Sequence, residues 1–248
     1  MNIYDLVRRK VLNGEPLIGI EEDFLFSTVS RSVSRRDGKT NDSPEQQSSA
    51  CLSLEEANKL IAMYVRKGYH VSPHNHATLF MCNDAQRLVS DYIRLWPLCS
   101  QAEHLLFEQD DDFALLDEYA DLHVLSSQAE VKFFSLEGRL QQKRMYVKRT
   151  TLSGQARLFL LNRYDGDEFI RYELEQRRLF PENIQLAMMN VENWHEWVKR
   201  YTGYAPLSES AQMKLFHLPK PKKMVRLYES RHGLCAKAKQ KAQKLGWL

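Results

Sequence analysis

QKRMYVKRT, residues 142–150, opens the stretch of sequence that predicts the fold of this chain. Successive side chains of an extended strand point to opposite faces of the backbone. One face would then have an apolar centre, and the other would be cationic, hydroxylated and aromatic. The alternation predicts a short amphipathic β-strand with two faces: Lys143, Met145, Val147 and Arg149 on one, and Arg144, Tyr146, Lys148 and Thr150 on the other.

Two amphipathic helices follow this strand and extend to about Thr202. A lone strand leaves its backbone hydrogen-bonding groups without partners, so it needs a second strand beside it. Pairing with a second copy of the chain would supply that strand. Residues 142–202 therefore predict a ribbon-helix-helix-like unit, the core of a homodimer. The fold class expected for the whole chain is mainly α with a short β-ribbon and additional helices.

A two-stranded ribbon is narrow enough to enter the major groove of double-stranded DNA. The face with Arg144, Tyr146, Lys148 and Thr150 would read base edges, with Lys143 and Arg149 of the other face as weaker contacts. Asn183 and the first helical turn after Pro181 would hold the DNA backbone. An edge strand whose Lys and Arg side chains only discourage aggregation is the alternative interpretation.

Composition describes an ordinary globular protein, with 43% hydrophobic and 27% charged residues among 248. No apolar run approaches the roughly 20 residues that span a bilayer, and residues 1–13 lack a signal-peptide core. We therefore expect a cytoplasmic protein without a membrane partner.

The cysteines and histidines do not predict a metal site or a cofactor. Cys51, Cys82, Cys99 and Cys235 contain no short pair spacing. His70, His74 and His76 lie close together, but their spacing does not fit one helix face, and no fourth ligand accompanies them. A polar loop or strand explains this histidine cluster better, and the thiols are expected to be reduced.

Three segments are expected along the chain. Residues 1–52 form an N-terminal segment that contains a flexible Ser/Arg-rich linker over residues 27–49. Residues 53–216 form a helical domain that contains the ribbon-helix-helix-like unit, about 142–202. Residues 217–248 form a basic tail with nine Lys and Arg against one acidic residue. This tail would either increase solubility or contact phosphates without selecting sequence.

Helical periodicity accounts for most of the remaining chain. Ser53 is a good N-cap, and Gly68 stops the helix that follows. Pro97 ends another apolar stripe. Ser153 begins a helix that Gly166 should kink or break, because a glycine inside a helix costs about 1 kcal/mol relative to alanine.

Four pieces of sequence resemble the AcaB-type transcriptional regulators of conjugative plasmids and integrating conjugative elements. In order along the chain they are RLVSDYIRLW (87–96), DDDFALLDEY (110–119), KRMYVKRT (143–150) and LLNRYDGDEFIR (160–171). The resemblance implies a homodimer with a ribbon-helix-helix-like core that binds promoter DNA and activates conjugative-transfer genes. The basic tail and the interruption at Gly166 depart from the family pattern.

Two other functions compete with DNA-binding regulation. Glu130-Val131-Lys132, with Asp117 or Asp121 upstream, resembles part of a metal-dependent nuclease signature, although it lies in a helical period. No catalytic serine, zinc-protease or phosphate-loop motif is present, so the sequence predicts a protein that is not an enzyme. A protein-interaction accessory factor of a conjugation or secretion system remains the alternative.

Overall fold

The computed structural model describes residues 2–36, 52–108 and 113–248, and it contains no β-strand over these ranges. The predicted β-ribbon is therefore wrong, because residues 140–149 form an α-helix. The predicted ribbon-helix-helix-like core depends on that ribbon and is therefore also wrong. The chain instead divides into two compact helical units, Met1–Ser126 and Ser127–Leu248. The segment limits at 52 and 216 remain a sequence-based prediction.

Sixteen α-helices occur within the described residues. Those of the first unit are α1 (Ile3–Asn13), α2 (Ile20–Arg36), α3 (Leu54–Arg66), α4 (His76–Leu79), α5 (Ala85–Ile93), α6 (Ser100–Glu103) and α7 (Ala114–Leu122). Those of the second unit are α8 (Ser127–Ser135), α9 (Leu140–Arg149), α10 (Gly154–Leu161), α11 (Asp167–Glu175), α12 (Glu182–Met188), α13 (Trp194–Tyr201), α14 (Glu209–Lys214), α15 (Pro221–His232) and α16 (Ala236–Lys244).

The helices follow a sequence repeat of 27 or 28 residues. Successive repeats begin at Val71, Leu98, Leu125, Leu152, Phe180, Leu207 and Leu234. Each full repeat contributes two helices that bury their apolar sides. The fifth residue is small in most repeats, and Ala102, Ala129, Ala156, Ala211 and Ala238 are all buried there. A small side chain at this position allows close packing between successive first helices.

Within the second unit the helices form two layers. The first helices of successive repeats pack on one another in the order α8, α10, α12, α14 and α16. The second helices, α9, α11 and α13, pack in the same order, and α15 continues this layer with a hydrogen bond from His232 to Thr202 O. Each repeat contacts mainly its neighbours, as in other helical-repeat proteins.

In five repeats a buried polar side chain at the sixth position accepts the backbone N–H of the second residue of the next repeat. Glu103 accepts from Ser126 N at 3.0 Å, and Glu130 accepts from Ser153 N at 2.8 Å. Three further acceptors make the same bond at 2.7–2.8 Å: His76 to Cys99, Gln185 to Ser208 and Gln212 to Cys235. We call this the acceptor position. It satisfies a donor at the start of a first helix, which would otherwise lack a partner.

A tyrosine on the second helix completes the network. The hydroxyls of Tyr119, Tyr201 and Tyr228 accept the N–H of the first residue of their own repeat at 2.9–3.3 Å. Burial raises the pKa of Tyr119, of Tyr228 and of the equivalent Tyr92, whose pKa rises to about 12. These three tyrosines therefore stay neutral and keep the hydroxyl proton for donation, as Tyr119 does to Glu103.

The pair α2 and α3 uses the same bonds across a longer connection. Glu22 accepts from Ser72 N at 2.7 Å, and Tyr64 Oη accepts from Leu17 N at 3.3 Å. Helix α2 runs to Arg36, so the flexible linker predicted from residue 27 is helical in its first part. The remainder of that predicted linker lies outside the described residues.

One repeat, residues 152–179, exchanges the usual pair for a buried ion pair. Glu173 replaces the tyrosine and Arg157 occupies the acceptor position, with Arg157 Nε 2.8 Å from Glu173 Oε2. In the next repeat, which begins at Phe180, Pro181 occupies the N-cap position that Ser153 and Ser208 occupy in the neighbouring repeats. Because proline has no N–H, no donor needs an acceptor at Arg157. Arg178 also donates to Glu173 through Nη1, and the Nη2 atom of Arg178 donates to Val147 O at 3.1 Å.

Gly166 interrupts the helix that the sequence predicted to kink or break there, which confirms the expectation. Helix α10 ends at Leu161, a short 3-10 turn covers Tyr164–Gly166, and α11 begins at Asp167. A Cβ atom at residue 166 would lie 2.0 Å from Leu160 O. The close approach of the two backbones therefore requires glycine.

The exchange at Arg157 and Glu173 predicts the behaviour of two variants. Glu173→Tyr alone leaves the buried Arg157 guanidinium without its carboxylate and should lower the free energy of unfolding by about 3–5 kcal/mol. The triple variant R157Q/E173Y/P181S recreates the Gln, Tyr and Ser set found at residues 185, 201 and 208, and it should recover most of that loss. Urea denaturation followed by circular dichroism measures both. A triple variant no more stable than the single one would contradict the repeat network.

The acceptor role of His76 predicts a pH dependence of stability. Its Nδ1 accepts from Cys99 N, so this nitrogen must be unprotonated, and burial lowers the pKa of His76 below 6.5. Between the folded-state and unfolded-state pKa values, His76 binds a proton in the unfolded chain but not in the folded chain. The stability from this group should be complete above pH 6.5 and should decline as the pH falls toward the folded-state pKa. His76→Gln, which keeps an acceptor, should remove this part of the dependence in urea titrations at pH 7.5 and 5.5. An unchanged dependence in that variant would exclude His76 as its source.

Candidate nucleic-acid interface

The residues predicted to read DNA lie on or beside helix α9, where they divide between core and surface. Lys143, Tyr146 and Thr150 are buried, whereas Arg144, Lys148 and Arg149 are exposed. The strand-based division into a core face and a reading face was therefore wrong. Met145, assigned to the core, is 53% exposed.

Buried Lys143 and Tyr146 have structural roles. The Lys143 ammonium donates to Phe134 O at 3.0 Å and also to Leu136 O, at the end of α8. Burial lowers the pKa of Lys143. Tyr146 packs between Phe133 and Phe134, with ring centroids 5.6 and 6.1 Å away. Neither side chain is available to a groove of DNA.

Asn183 is separated from the other predicted contacts by its position in the fold. It is the second residue of α12, which belongs to the layer of first helices, while α9 belongs to the layer of second helices. Helix α12 has only seven residues, so its N-terminus offers little of the predicted backbone contact.

The exposed cations of α9 belong to a larger set of cations that recurs from repeat to repeat. Residues 142–150 taken alone do not reveal this set. The twentieth residue of every full repeat in the second unit is basic and exposed, whereas its counterparts in the repeats that begin at Val71 and Leu98 are Ser90 and Asp117. We call this set the basic ladder: Arg144, Arg171, Lys199 and Arg226. A search for internal repeats, beginning with LCSQAE at 98–103 and LSSQAE at 125–130, would have found it.

Basic grooves accompany the ladder. A groove of about 220 Å³ between α9 and α11 is lined by Arg144, Lys148 and Arg171, with Tyr172 and two glutamates. A second groove, of about 850 Å³, is lined by Lys199 and Arg200 of α13 and by Arg231 and His232 of α15, with Glu196. A third, of about 500 Å³, is lined by residues of α15 and the turn before it: Lys220, Pro221, Lys222, Lys223 and Arg226.

Ion pairs hold some of these cations and leave others available. Arg144 forms a two-point hydrogen bond with Glu168 at 2.6 and 2.8 Å, which holds the pKa of Glu168 below its ordinary value. Arg200 pairs with Glu175 and Glu196. The side chains of Arg171 and Lys199 have no hydrogen-bond or ion-pair partner among the residues the structure describes. Arg171 and Lys199 can therefore bind an external anion without breaking an ion pair inside the protein.

Charge is divided unequally between the two units. Residues 127–248 contain 23 Lys and Arg against 12 Asp and Glu, a net charge of +11, whereas residues 1–126 contain 12 against 20, a net charge of −8. The excess in the second unit includes the predicted basic tail. This tail is α15 and α16, whose Val225, Tyr228, Ala238 and Ala242 are buried, so it is part of the repeat structure.

Glu130, the acidic residue of the nuclease-like sequence, is an acceptor in the repeat network. It is 1% exposed and accepts the Ser153 N–H, and burial raises its pKa. Within the described ranges no group of His, Cys, Asp or Glu side chains could hold a metal ion, and no helix is long and apolar enough to cross a membrane.

Comparison with known proteins returned no match: no protein family, curated protein or solved structure is significantly similar to this chain.

Lys143 is buried and Arg144 is exposed, so substitutions of these two neighbours should have different effects on stability. Lys143→Ala removes the donor of two backbone carbonyls and should lower the free energy of unfolding by about 1–3 kcal/mol. Arg144→Ala removes only an exposed ion pair and should leave the urea midpoint nearly unchanged. The two midpoints, measured side by side, check the assignment. A larger loss for Arg144→Ala would contradict the helical placement of this segment.

Proposed function

We propose that this chain is a nucleic-acid-binding helical-repeat protein whose basic ladder contacts the phosphate backbone. The observation that carries the proposal is the recurrence of Arg144, Arg171, Lys199 and Arg226 at one position of four consecutive repeats. Cations at one repeat position lie on one side of a helix layer, since each repeat presents that position in the same way. A protein with this recurrence favours a partner whose negative charges also recur.

The spacing of the ladder fits a phosphate backbone. Packed helices lie roughly 8–10 Å apart, so successive rungs are separated by about that distance. Duplex DNA rises about 3.4 Å per base pair, and one rung therefore corresponds to about three base pairs. Contacts of this kind fix position and supply affinity without reading sequence.

Double-stranded promoter DNA remains the proposed form of nucleic acid. The resemblance to AcaB-type regulators supports DNA as the partner and an activator of conjugative-transfer genes as the role. The contact proposed here is made by helices, and it replaces the ribbon. The homodimer now rests on the resemblance alone, because the unpaired strand that required a second copy is absent from the described residues. A nuclease footprint across the region upstream of the gene tests promoter binding, and absence of protection there would count against a regulator.

The ladder itself is tested by the salt dependence of binding. Arg171→Ala and Lys199→Ala together should weaken binding of a labelled duplex. They should also reduce the slope of log affinity against log salt by about two, since each lost phosphate contact contributes about 0.9. Fluorescence anisotropy between 50 and 300 mM salt measures both quantities.

The double variant Lys237→Ala/Lys244→Ala is the matched control, because it removes two exposed cations from α16 in the layer of first helices. It should leave the slope close to that of the unchanged protein. An equal effect of this control would show that net charge, and not the ladder, drives binding. If the unchanged protein binds no duplex, the proposal is wrong and the protein-interaction accessory role becomes the better one.

A further inference from the structure

An open cup lies beside the ladder at the end of the repeats where first and second helices connect. It has a volume of about 440 Å³ and is formed by the connections that follow α10 and α12. Buried Trp197 lies at its floor. Its rim carries Tyr164, whose side chain is fully exposed, and three exposed asparagines, Asn162, Asn190 and Asn193.

The hydrogen-bonding groups of the cup are partly committed inside the protein. Asn162 donates through its amide nitrogen to Leu158 O at 2.7 Å, and its oxygen has no partner in the described structure. Asn190 accepts from Lys214 through its oxygen, which leaves its amide nitrogen to donate outward. Asn193 donates to Asp167 at 3.4 Å, a weak bond that a ligand could replace. The cup therefore presents both donors and acceptors at its rim.

Charge excludes a phosphate group from this cup. Asp167 and Glu192 line it as carboxylates, and its one cation, Arg163, is engaged by Asp165 in a two-point bond at 2.7 and 2.9 Å. Carboxylate and amide oxygens accept hydrogen bonds from amino groups, and an exposed tyrosine ring stacks on a flat aromatic surface. A planar, uncharged ligand that carries N–H donors satisfies both requirements, and an unpaired nucleobase has this chemistry.

The position of the cup relative to the ladder supports the same ligand. Asp167 begins α11, and the rung Arg171 lies four residues later, one turn along the same helix face. Four residues correspond to about 6 Å along the axis. This is about the distance over which one nucleotide extends from phosphate to base, so a phosphate at Arg171 would leave its base within reach of the cup.

We infer that this cup, formed by Tyr164, Asn162, Asn190, Asn193 and Asp167, binds an unpaired nucleobase of the nucleic acid that the ladder holds. The inference rests on the proposed function and adds a second kind of contact to it. The ladder binds phosphates of any sequence. The cup binds a base that has left the duplex, by stacking on Tyr164 and by hydrogen bonds to its amino group.

A duplex with one bulged nucleotide tests the inference. Three labelled probes are compared: a fully paired duplex, the same duplex with one bulged adenine, and the same duplex with an abasic bulge. The adenine bulge should bind about tenfold more tightly than the abasic bulge, as expected when one base stacks on one aromatic ring. Equal affinity for these two probes would overturn the inference.

Variants of the rim show whether Tyr164 is responsible. Tyr164→Ala should abolish the preference for the adenine bulge and leave the affinity for the fully paired duplex unchanged, whereas Tyr164→Phe should keep the preference. Leu179→Ala is the control, because Leu179 is also exposed, at 71%, and does not line the cup. Persistence of the preference in Tyr164→Ala would overturn the inference. Failure of the unchanged protein to bind any of the probes would overturn the proposed function itself.

Discussion

The repeats of this protein depend on one buried hydrogen bond, in which a side chain of one repeat receives the backbone N–H that opens the next. An N–H at the start of a helix has no partner within that helix, and burying it without one costs about 1–3 kcal/mol. Glu103, Glu130, Gln185 and Gln212 meet this need from the preceding repeat. The bond fixes where the first helix of the next repeat begins. Packing of the apolar positions can then repeat from one pair of helices to the next.

The same constraint explains the residue types that the acceptor position tolerates. A carboxylate, an amide and a neutral imidazole all accept a hydrogen bond. Glutamate, glutamine and histidine can therefore each occupy the acceptor position. Arginine cannot accept one. Arg157 occurs where Pro181 has removed the donor, and Glu173 supplies the negative charge that a buried guanidinium requires. The changes at Arg157 and Glu173 and the proline in the following repeat thus form a single chemical adjustment.

Because the network satisfies its polar groups inside, the outer side of the second helices is free to vary. In the second unit this side carries the basic ladder and the grooves around it, and in the repeats that begin at Val71 and Leu98 it carries Ser90 and Asp117 at the same position. The cup arises in a similar way. The repeat from Leu152 is one residue longer than its predecessor, and Gly166 allows its connection to fold closely over Leu160. Surface chemistry has changed while the buried bonds have stayed.

By itself, the sequence determined the mainly helical character of the chain, the break at Gly166, the cap at Ser153 and the basic character of the C-terminal residues, because helix signals and charge are local properties. It also contained the 27-residue recurrence, which the alternation of side chains within residues 142–150 does not reveal. That segment fits a strand and a helix equally well over nine residues. Only the tertiary structure decided between them, because α8 and α11 pack against one side of α9 and bury Lys143 together with Tyr146 and Val147, which follow it by three and four residues. The surface left to Arg144 and Lys148 follows from that packing, and a pattern of alternating residues carries no information about it.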